Sequence, residues 1–187
     1  MGTKKLVRLL AVWTLLTSVC LAVTKDASLP YNFRVIDQNV CAGGHPLGPV
    51  NGFGNSEEKA LSILFYLKSR GVKQVIDLEN TKRIQARYQS LLDTAGLKRL
   101  HIPMHASKVP NKKEWELIKE AMKNPVYIHC KWGADRTGAV IGRYLVEERG
   151  YTPEAAYKAV TTGGEFAGPL GGLKTGWPYH KLKDFIY

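Results

Sequence analysis

Two scarcities stand out in this sequence: three cysteines in 187 residues, and 16 acidic residues against 27 basic ones. Small exported scaffolds that lean on disulfides usually carry four or more cysteines in a shorter chain. A disulfide framework is therefore excluded, and a chain of this length can bury a core without such staples. The shortage of carboxylates leaves a formal charge of +11. That excess predicts an anionic partner: nucleic acid, a membrane surface or a phosphorylated substrate. Long apolar runs are also missing. The one present, Leu9 to Val23, is interrupted by Thr14, Thr17 and Ser18 and falls short of the roughly 20 residues that a bilayer-spanning helix needs. No repeat, low-complexity tract or basic run interleaved with aromatics is found, which argues against a solenoid and against a nucleic-acid-binding module.

What the N-terminus does carry is a pattern. Lys4, Lys5 and Arg8 precede the apolar run, which ends in small residues around Ala22; this is the layout of a secretory signal peptide. The expected organisation is a signal peptide over 1–22 and one domain over 23–187, secreted or periplasmic, with no membrane span after processing. Cleavage would remove three basic residues and no acidic one, so the mature chain stays basic. It would also remove Cys20, leaving Cys41 and Cys130. Charged residues at 23% and hydrophobic ones at 44% fit a single globular domain.

Strand-like and helix-like segments alternate along that domain. Phe33 to Ile36, Asn39 to Ala42, Gln74 to Leu78, Arg99 to Pro103 and Val126 to His129 read as strands. The stretch from Gly43 to Asn55 holds five glycines and reads as a loop. A helix follows to Arg70, with Asn55 and Glu58 at capping-box spacing and Leu61, Leu64 and Leu67 on one face. Further helices are predicted over Arg83 to Thr94, stopped by Gly96, from Asn111 and Glu114 through Met122, over Arg136 to Arg149, and from Pro153. The tail shows five glycines between 163 and 172, a loop signal, then a terminal helix within Trp177 to Tyr187. Such alternation predicts one compact α/β domain, its central, largely parallel sheet of about four to five strands covered by helices on both faces.

The chemistry concentrates in His129-Cys130-Lys131-Trp132-Gly133-Ala134-Asp135-Arg136-Thr137-Gly138. The cysteine ends a predicted strand and the arginine opens a predicted helix. The thiol and the intervening backbone N–H groups therefore sit at a positive helix N-terminus, which favours an oxyanion and a thiolate. Lys131, Trp132, Gly133, Ala134, Asp135 and Arg136 can then ring a phosphate with amides while the Arg136 guanidinium forks onto two of its oxygens. A thiolate beneath that phosphate can attack phosphorus in line.

Cys-x5-Arg with a leading His and a following Thr-Gly resembles the phosphate-binding loop of the cysteine-dependent protein tyrosine phosphatase superfamily. Val40-Cys41-Ala42-Gly43-Gly44-His45-Pro46 and Gly71-Val72-Lys73-Gln74-Val75-Ile76-Asp77-Leu78 resemble two more stretches of its small dual-specificity-like members, and the likeness runs from about Arg34 to Phe166. The resemblance implies hydrolysis of phosphomonoesters through a phosphocysteine on Cys130, without metal or other cofactor. It also implies that Arg136 binds the phosphoryl group and that Thr137 shares its hydroxyl with the departing sulfur. One expected part is missing. Many members place an aspartate, the general acid, on the loop after the strand matching Arg99 to Pro103, but this chain reads His105-Ala106-Ser107-Lys108-Val109-Pro110. Two residues are candidates for the proton donor. Asp135 stands where the similar Cys-x-x-Gly-x-Asp-Arg loop of myotubularin phosphatases has an acid given that role, the other reading being a carboxylate bonded to backbone. His105 is of the type suited to acid–base work near neutral pH.

Around this loop, His129 is expected to be a buried brace. Trp132 reads as a packing residue or a wall of the pocket. Lys131 adds charge beside the nucleophile, a pattern similar to phosphatases of phosphorylated inositol rings. Lys82, Arg83, Arg87, Lys108, Lys112 and Lys113 either line the mouth or are scattered surface charge. The function expected is hydrolysis of a polyphosphorylated small molecule such as inositol phosphates, as in the bacterial inositol phosphatases and phytases of this superfamily. The alternatives are a tyrosine or dual-specificity phosphatase acting on a phosphoprotein, and a phosphate-binding module that has lost catalysis. Cys41 reads as a buried small hydrophobe or as a disulfide partner that would switch Cys130 off. Oligomeric state is left open.

Overall fold

A computed structural model describes residues 29–161 and 170–187. The signal peptide predicted over 1–22 and most of the glycine-rich stretch after Thr161 lie outside the described residues. One five-stranded sheet runs in the order β1-β2-β5-β3-β4, built from β1 (Arg34–Val35), β2 (Val40–Gly44), β3 (Gln74–Asp77), β4 (Lys98–His101) and β5 (Val126–Cys130). Only β1 is antiparallel to its neighbour; the other pairings are parallel. Helices α1 (Glu57–Ser69) and α2 (Gln85–Ala95) cover one face. The other is covered by α3 (Lys112–Met122), α4 (Asp135–Arg149), α5 (Pro153–Thr161) and the short α6 (His180–Asp184). The α/β architecture expected from the alternating pattern is thus present, with strands buried on both sides as parallel sheets require.

The differences from expectation are local. Regular β4 pairing stops at His101 because Pro103 has no N–H to donate. Contact with β3 continues irregularly, with Ile102 N–H donating to the Asp77 carbonyl at 2.9 Å and Met104 N–H to the Leu78 carbonyl at 3.1 Å. The cap of α1 is Ser56, whose Oγ accepts the Lys59 N–H at 3.2 Å. Asn55 instead spends its side-chain amide on the Pro46 carbonyl, 2.8 Å away, tying the long turn shut. The box expected at α3 does form: Asn111 Oδ1 accepts from Glu114 N–H at 3.0 Å, and Glu114 Oε2 accepts from Asn111 N–H at 2.8 Å. A cap of this kind is worth about 1 kcal/mol. Residues of the tail pack on α4, where a Cβ added at Gly142 would come within 2.6 Å of Ile186 Cδ1. Among the described residues, no helix is long and apolar enough to cross a membrane.

Strand alternation decides what β5 delivers to each face. Val126, Ile128 and Cys130 pack toward α3, α4 and α5, while Tyr127 joins the cluster under α1 and α2. His129 therefore points away from the side on which Cys130 sits. The pairing also corrects the disulfide reading. Cys41 pairs with Tyr127, and it is Gly44 that lies opposite Cys130. Three residues of strand, about 10 Å, separate the two cysteines, beyond the roughly 7 Å limit between Cα atoms for a bridge.

Candidate active site

Cys130 ends β5 with a free thiol and 2% exposure, and α4 begins five residues later at Asp135. The turn between them is shaped from behind. Gly133 has φ +71°, and a Cβ there would lie 2.2 Å from the Gly43 carbonyl carbon, so only glycine fits. The Lys131 carbonyl accepts the His45 N–H at 3.0 Å. The Gly133 carbonyl accepts Arg34 Nη2 at 2.8 Å and Asn32 Nδ2 at 3.3 Å. A trans peptide sets its N–H opposite its C=O, so the Trp132 and Ala134 N–H groups are turned to the other side of the loop.

Arg136, in the first turn of α4, is held at both ends of its fork. Nη2 donates to Glu79 Oε2 at 2.9 Å, and Nη1 reaches the Leu78 and Met104 carbonyls at 3.2 and 3.3 Å. Glu79 is itself fixed, its Oε1 accepting the Asn80 and Thr81 N–H groups at 3.0 Å and the Thr81 hydroxyl at 2.7 Å. Burial alone would lower the Arg136 pKa, but the charges of Cys130 and Glu79 outweigh it and leave the guanidinium above its ordinary value. The site is thus a thiol and a preoriented guanidinium joined by a turn of backbone amides at the C-terminal edge of a parallel sheet. A sequence-family model described as "Polymorphic toxin system, DSP-PTPase phosphatase" matches residues 54–150, more than half of the 187.

The chain belongs to that phosphatase family. It is a cysteine-dependent phosphatase of the protein tyrosine phosphatase superfamily. No curated protein matches it in sequence. Similar solved structures include TpbA of P. aeruginosa, with 20% identity and a TM-score of 0.54 over 72% of this chain and 74% of that one. The core catalytic domain of SIW14 from S. cerevisiae gives 17% and 0.55 over 84% and 85%. PTPMT1 gives 21% and 0.56 over 82% and 93%. At such identities the likeness is one of fold.

Within this phosphatase the two proton-donor candidates have different surroundings. Asp135 Oδ1 accepts the backbone N–H of Lys174 at 2.9 Å, fastening the C-terminal segment to the start of α4. Burial raises its pKa, and the Lys174 bond opposes that rise. His105 is exposed and follows Met104, whose carbonyl touches Arg136. Its Nδ1 lies 3.4 Å from the Ser107 N–H and 3.0 Å from the Ser107 hydroxyl. Since a backbone N–H can only donate, the neutral ring carries its proton on Nε2.

Thr137 is buried and its hydroxyl has no hydrogen-bond partner; no bond to the Cys130 sulfur is formed. The Lys131 ammonium lies over two rings, 5.5 Å from the Phe53 centroid and 5.7 Å from that of Trp132, and Tyr31 meets Trp132 edge-on at 5.4 Å. Trp132 is therefore packed, between the Tyr31 ring and the Lys131 ammonium. Two of the six basic residues expected near the mouth hold the long turn, Arg83 donating to the Gly52 carbonyl and Arg87 to that of Asn55.

Behind the loop, His129 is fully buried, with Nε2 2.8 Å from the Tyr88 hydroxyl; burial lowers its pKa. His45, Asp77 and His129 bring three ligand-type atoms within 4.8 Å of one another. A dication does not fit them. Asp77 Oδ2 already takes Arg99 through Nε at 3.1 Å and Nη2 at 2.5 Å, and Oδ1 takes the Glu79 N–H at 2.8 Å. The guanidinium neutralises the one carboxylate that a metal would need.

Glu79 and Arg34 were not visible as site residues in the sequence. Glu79 had a usable signal, an acid just past the C-terminal end of a parallel strand, where the crevice of such sheets lies. Arg34, in a two-residue edge strand, had none.

Proposed function

We propose that this phosphatase is exported and hydrolyses a small molecule carrying several phosphates, such as an inositol phosphate, with Cys130 as nucleophile. The observation that carries the reading is the Arg136 guanidinium, aimed by Glu79 at a loop whose other end is the thiol. The thiolate attacks phosphorus, the ester P–O bond breaks, and the leaving oxygen takes a proton. Water then attacks the phosphocysteine and releases inorganic phosphate and the thiolate. The unpartnered Thr137 hydroxyl is available to donate to the sulfur as it departs.

His105 is assigned as the proton donor: in its protonated form the Ser107 hydroxyl, 3.0 Å from Nδ1, accepts the Nδ1–H and leaves the Nε2–H to be given up, whereas Asp135 already spends one oxygen on the tail. His105→Asn is then expected to slow esters with poor alkyl leaving groups about 10²-fold, to spare p-nitrophenyl phosphate, and to remove the alkaline limb of the pH–rate profile. If Asp135→Asn gives that pattern instead, the role passes to Asp135.

Several observations support a polyanionic substrate. Lys131 holds a fixed charge next to the nucleophile, and the chain is strongly basic. Among its structural neighbours, SIW14 is described as a PP-IP phosphatase and PTPMT1 has been solved with PI(5)P. A phosphotyrosine substrate is the second reading, supported by the Tyr31 and Trp132 rings beside the loop and by the TpbA complex with pTyr. Turnover of inositol hexakisphosphate is expected to exceed that of a phosphotyrosine peptide at least about tenfold in kcat/KM, a difference of about 1.4 kcal/mol; the reverse order would establish the second reading. Export rests on the pattern of residues 1–22 and is checked by N-terminal sequencing of the chain recovered outside the cytoplasm, expected to start after Ala22. A chain retained inside with Met1 intact would refute it.

A further inference from the structure

Arg34 is a cation in an unusual position. Its Nη1 donates to the Asn32 carbonyl at 3.0 Å and its Nη2 to the Gly133 carbonyl at 2.8 Å, while Nε is buried without a partner. Among the described residues, no carboxylate forms an ion pair with it. Burial lowers its pKa to about 10, and the charge of Cys130 opposes that fall. Arg34 is half-buried, and a guanidinium partly withdrawn from water without a carboxylate partner is costly. The cost has an explanation if the counter-ion is the anion that the loop exists to hold. Geometry agrees: Arg34 pairs in register with Ala42, which packs on the face of the sheet that also carries Cys130, and directly paired residues share a face.

We propose that Arg34 is a positioning residue of the phosphate loop, which holds the Gly133 carbonyl so that the Ala134 N–H faces the bound oxyanion and places a fixed positive charge behind the thiolate. This rests on Cys130 being the nucleophile. Arg136 grips the phosphoryl group from the helix side; Arg34 preorganises the loop from the sheet side without touching substrate. Preorganised donors need no rearrangement as charge develops, and losing one typically costs 10²–10³-fold.

The test uses Arg34→Met and Arg34→Lys, with kcat and KM for p-nitrophenyl phosphate across pH, the competitive Ki of inorganic phosphate, and melting temperature. In Arg34→Met, kcat/KM is expected to fall about 10²-fold, the phosphate Ki to rise about tenfold, and the acid limb of the profile to move to higher pH. Arg34→Lys should keep the acid limb in place, because the charge remains. It should still lose about tenfold in kcat/KM, because one ammonium does not reproduce the planar fork to two carbonyls. A folded Arg34→Lys with wild-type kcat/KM and Ki would overturn the proposal. So would an Arg34→Met that melts lower yet keeps the wild-type Ki and pH profile. If the Met variant does not fold, the Lys variant decides. A wild-type protein that neither hydrolyses p-nitrophenyl phosphate nor binds phosphate defeats the reading of Cys130 itself; an active wild type with indifferent Arg34 variants defeats only the role of Arg34.

Discussion

Cys130→Ser is expected to fold like the wild type, to bind phosphate esters with similar affinity, and to hydrolyse them at least ~10⁴-fold more slowly. The side chain is buried at 2% exposure at the end of a central strand, and oxygen for sulfur changes its volume little, so the loop and Arg136 keep their places. What changes is the nucleophile. Sulfur is intrinsically the better nucleophile, whereas a serine hydroxyl needs a base to take its proton. His129, the adjacent imidazole, lies on the opposite face of the strand and is bonded to Tyr88. Steady-state turnover of p-nitrophenyl phosphate, paired with calorimetric binding of the same ester, separates the loss of chemistry from loss of binding. Turnover within tenfold of wild type would remove Cys130 from the nucleophile's role. If the wild type itself turned nothing over while still binding the ester, the chain would be a phosphate-binding module, because this leaving group barely needs an acid.

The loop was legible in the sequence because everything it needs is contiguous. A strand pattern, a cysteine, a glycine at the one position where backbone meets backbone, and a helix opened by arginine lie within ten residues, and each part predicts the next. The sheet was legible for a related reason: apolar segments at regular spacing, separated by helical periods, permit few topologies. What was not legible acts across long separations. Glu79 meets Arg136 over 57 residues of sequence, and Arg34 meets Gly133 over 99. Neither belongs to a local pattern, and both become visible only when the strand order brings β1 and β3 around β5. Asp135 shows the limit from the other side. The sequence places it beside Arg136, but the bond from Lys174, 39 residues away, is what gives it a second, structural use. At α1 the cap fell one residue from the expected one because Asn55 was needed by the turn before it.

Arg136→Met is the variant in which catalysis and stability are expected to fail together. Glu79 has only 2% of its side chain exposed, and among the described residues its only guanidinium contact is Arg136. Three donors from Asn80 and Thr81 keep the carboxylate in place whether or not the arginine is there. Removing the guanidinium therefore strands a buried negative charge, at a cost of about 3–5 kcal/mol, and aims that charge at the place where the phosphate should bind. Loss of the bidentate phosphate contact should at the same time lower kcat/KM by about 10³-fold or more. The two effects can be pulled apart. Adding Glu79→Gln to Arg136→Met removes the stranded charge while keeping the shape of the side chain, so most of the stability should return with no gain in turnover. Alone, Glu79→Gln should fold and cost about tenfold in kcat/KM, because a neutral amide orients the guanidinium less firmly than a carboxylate. Arg136→Lys should sit between, near wild type in melting temperature yet about 10²–10³-fold slower, since an ammonium satisfies the charge of Glu79 but not the fork to phosphate. Chemical denaturation and p-nitrophenyl phosphate kinetics on the same preparations provide the check. If the Arg136→Met/Glu79→Gln pair regains turnover along with stability, the guanidinium is a structural counter-ion to Glu79 and something else in the loop binds the phosphate.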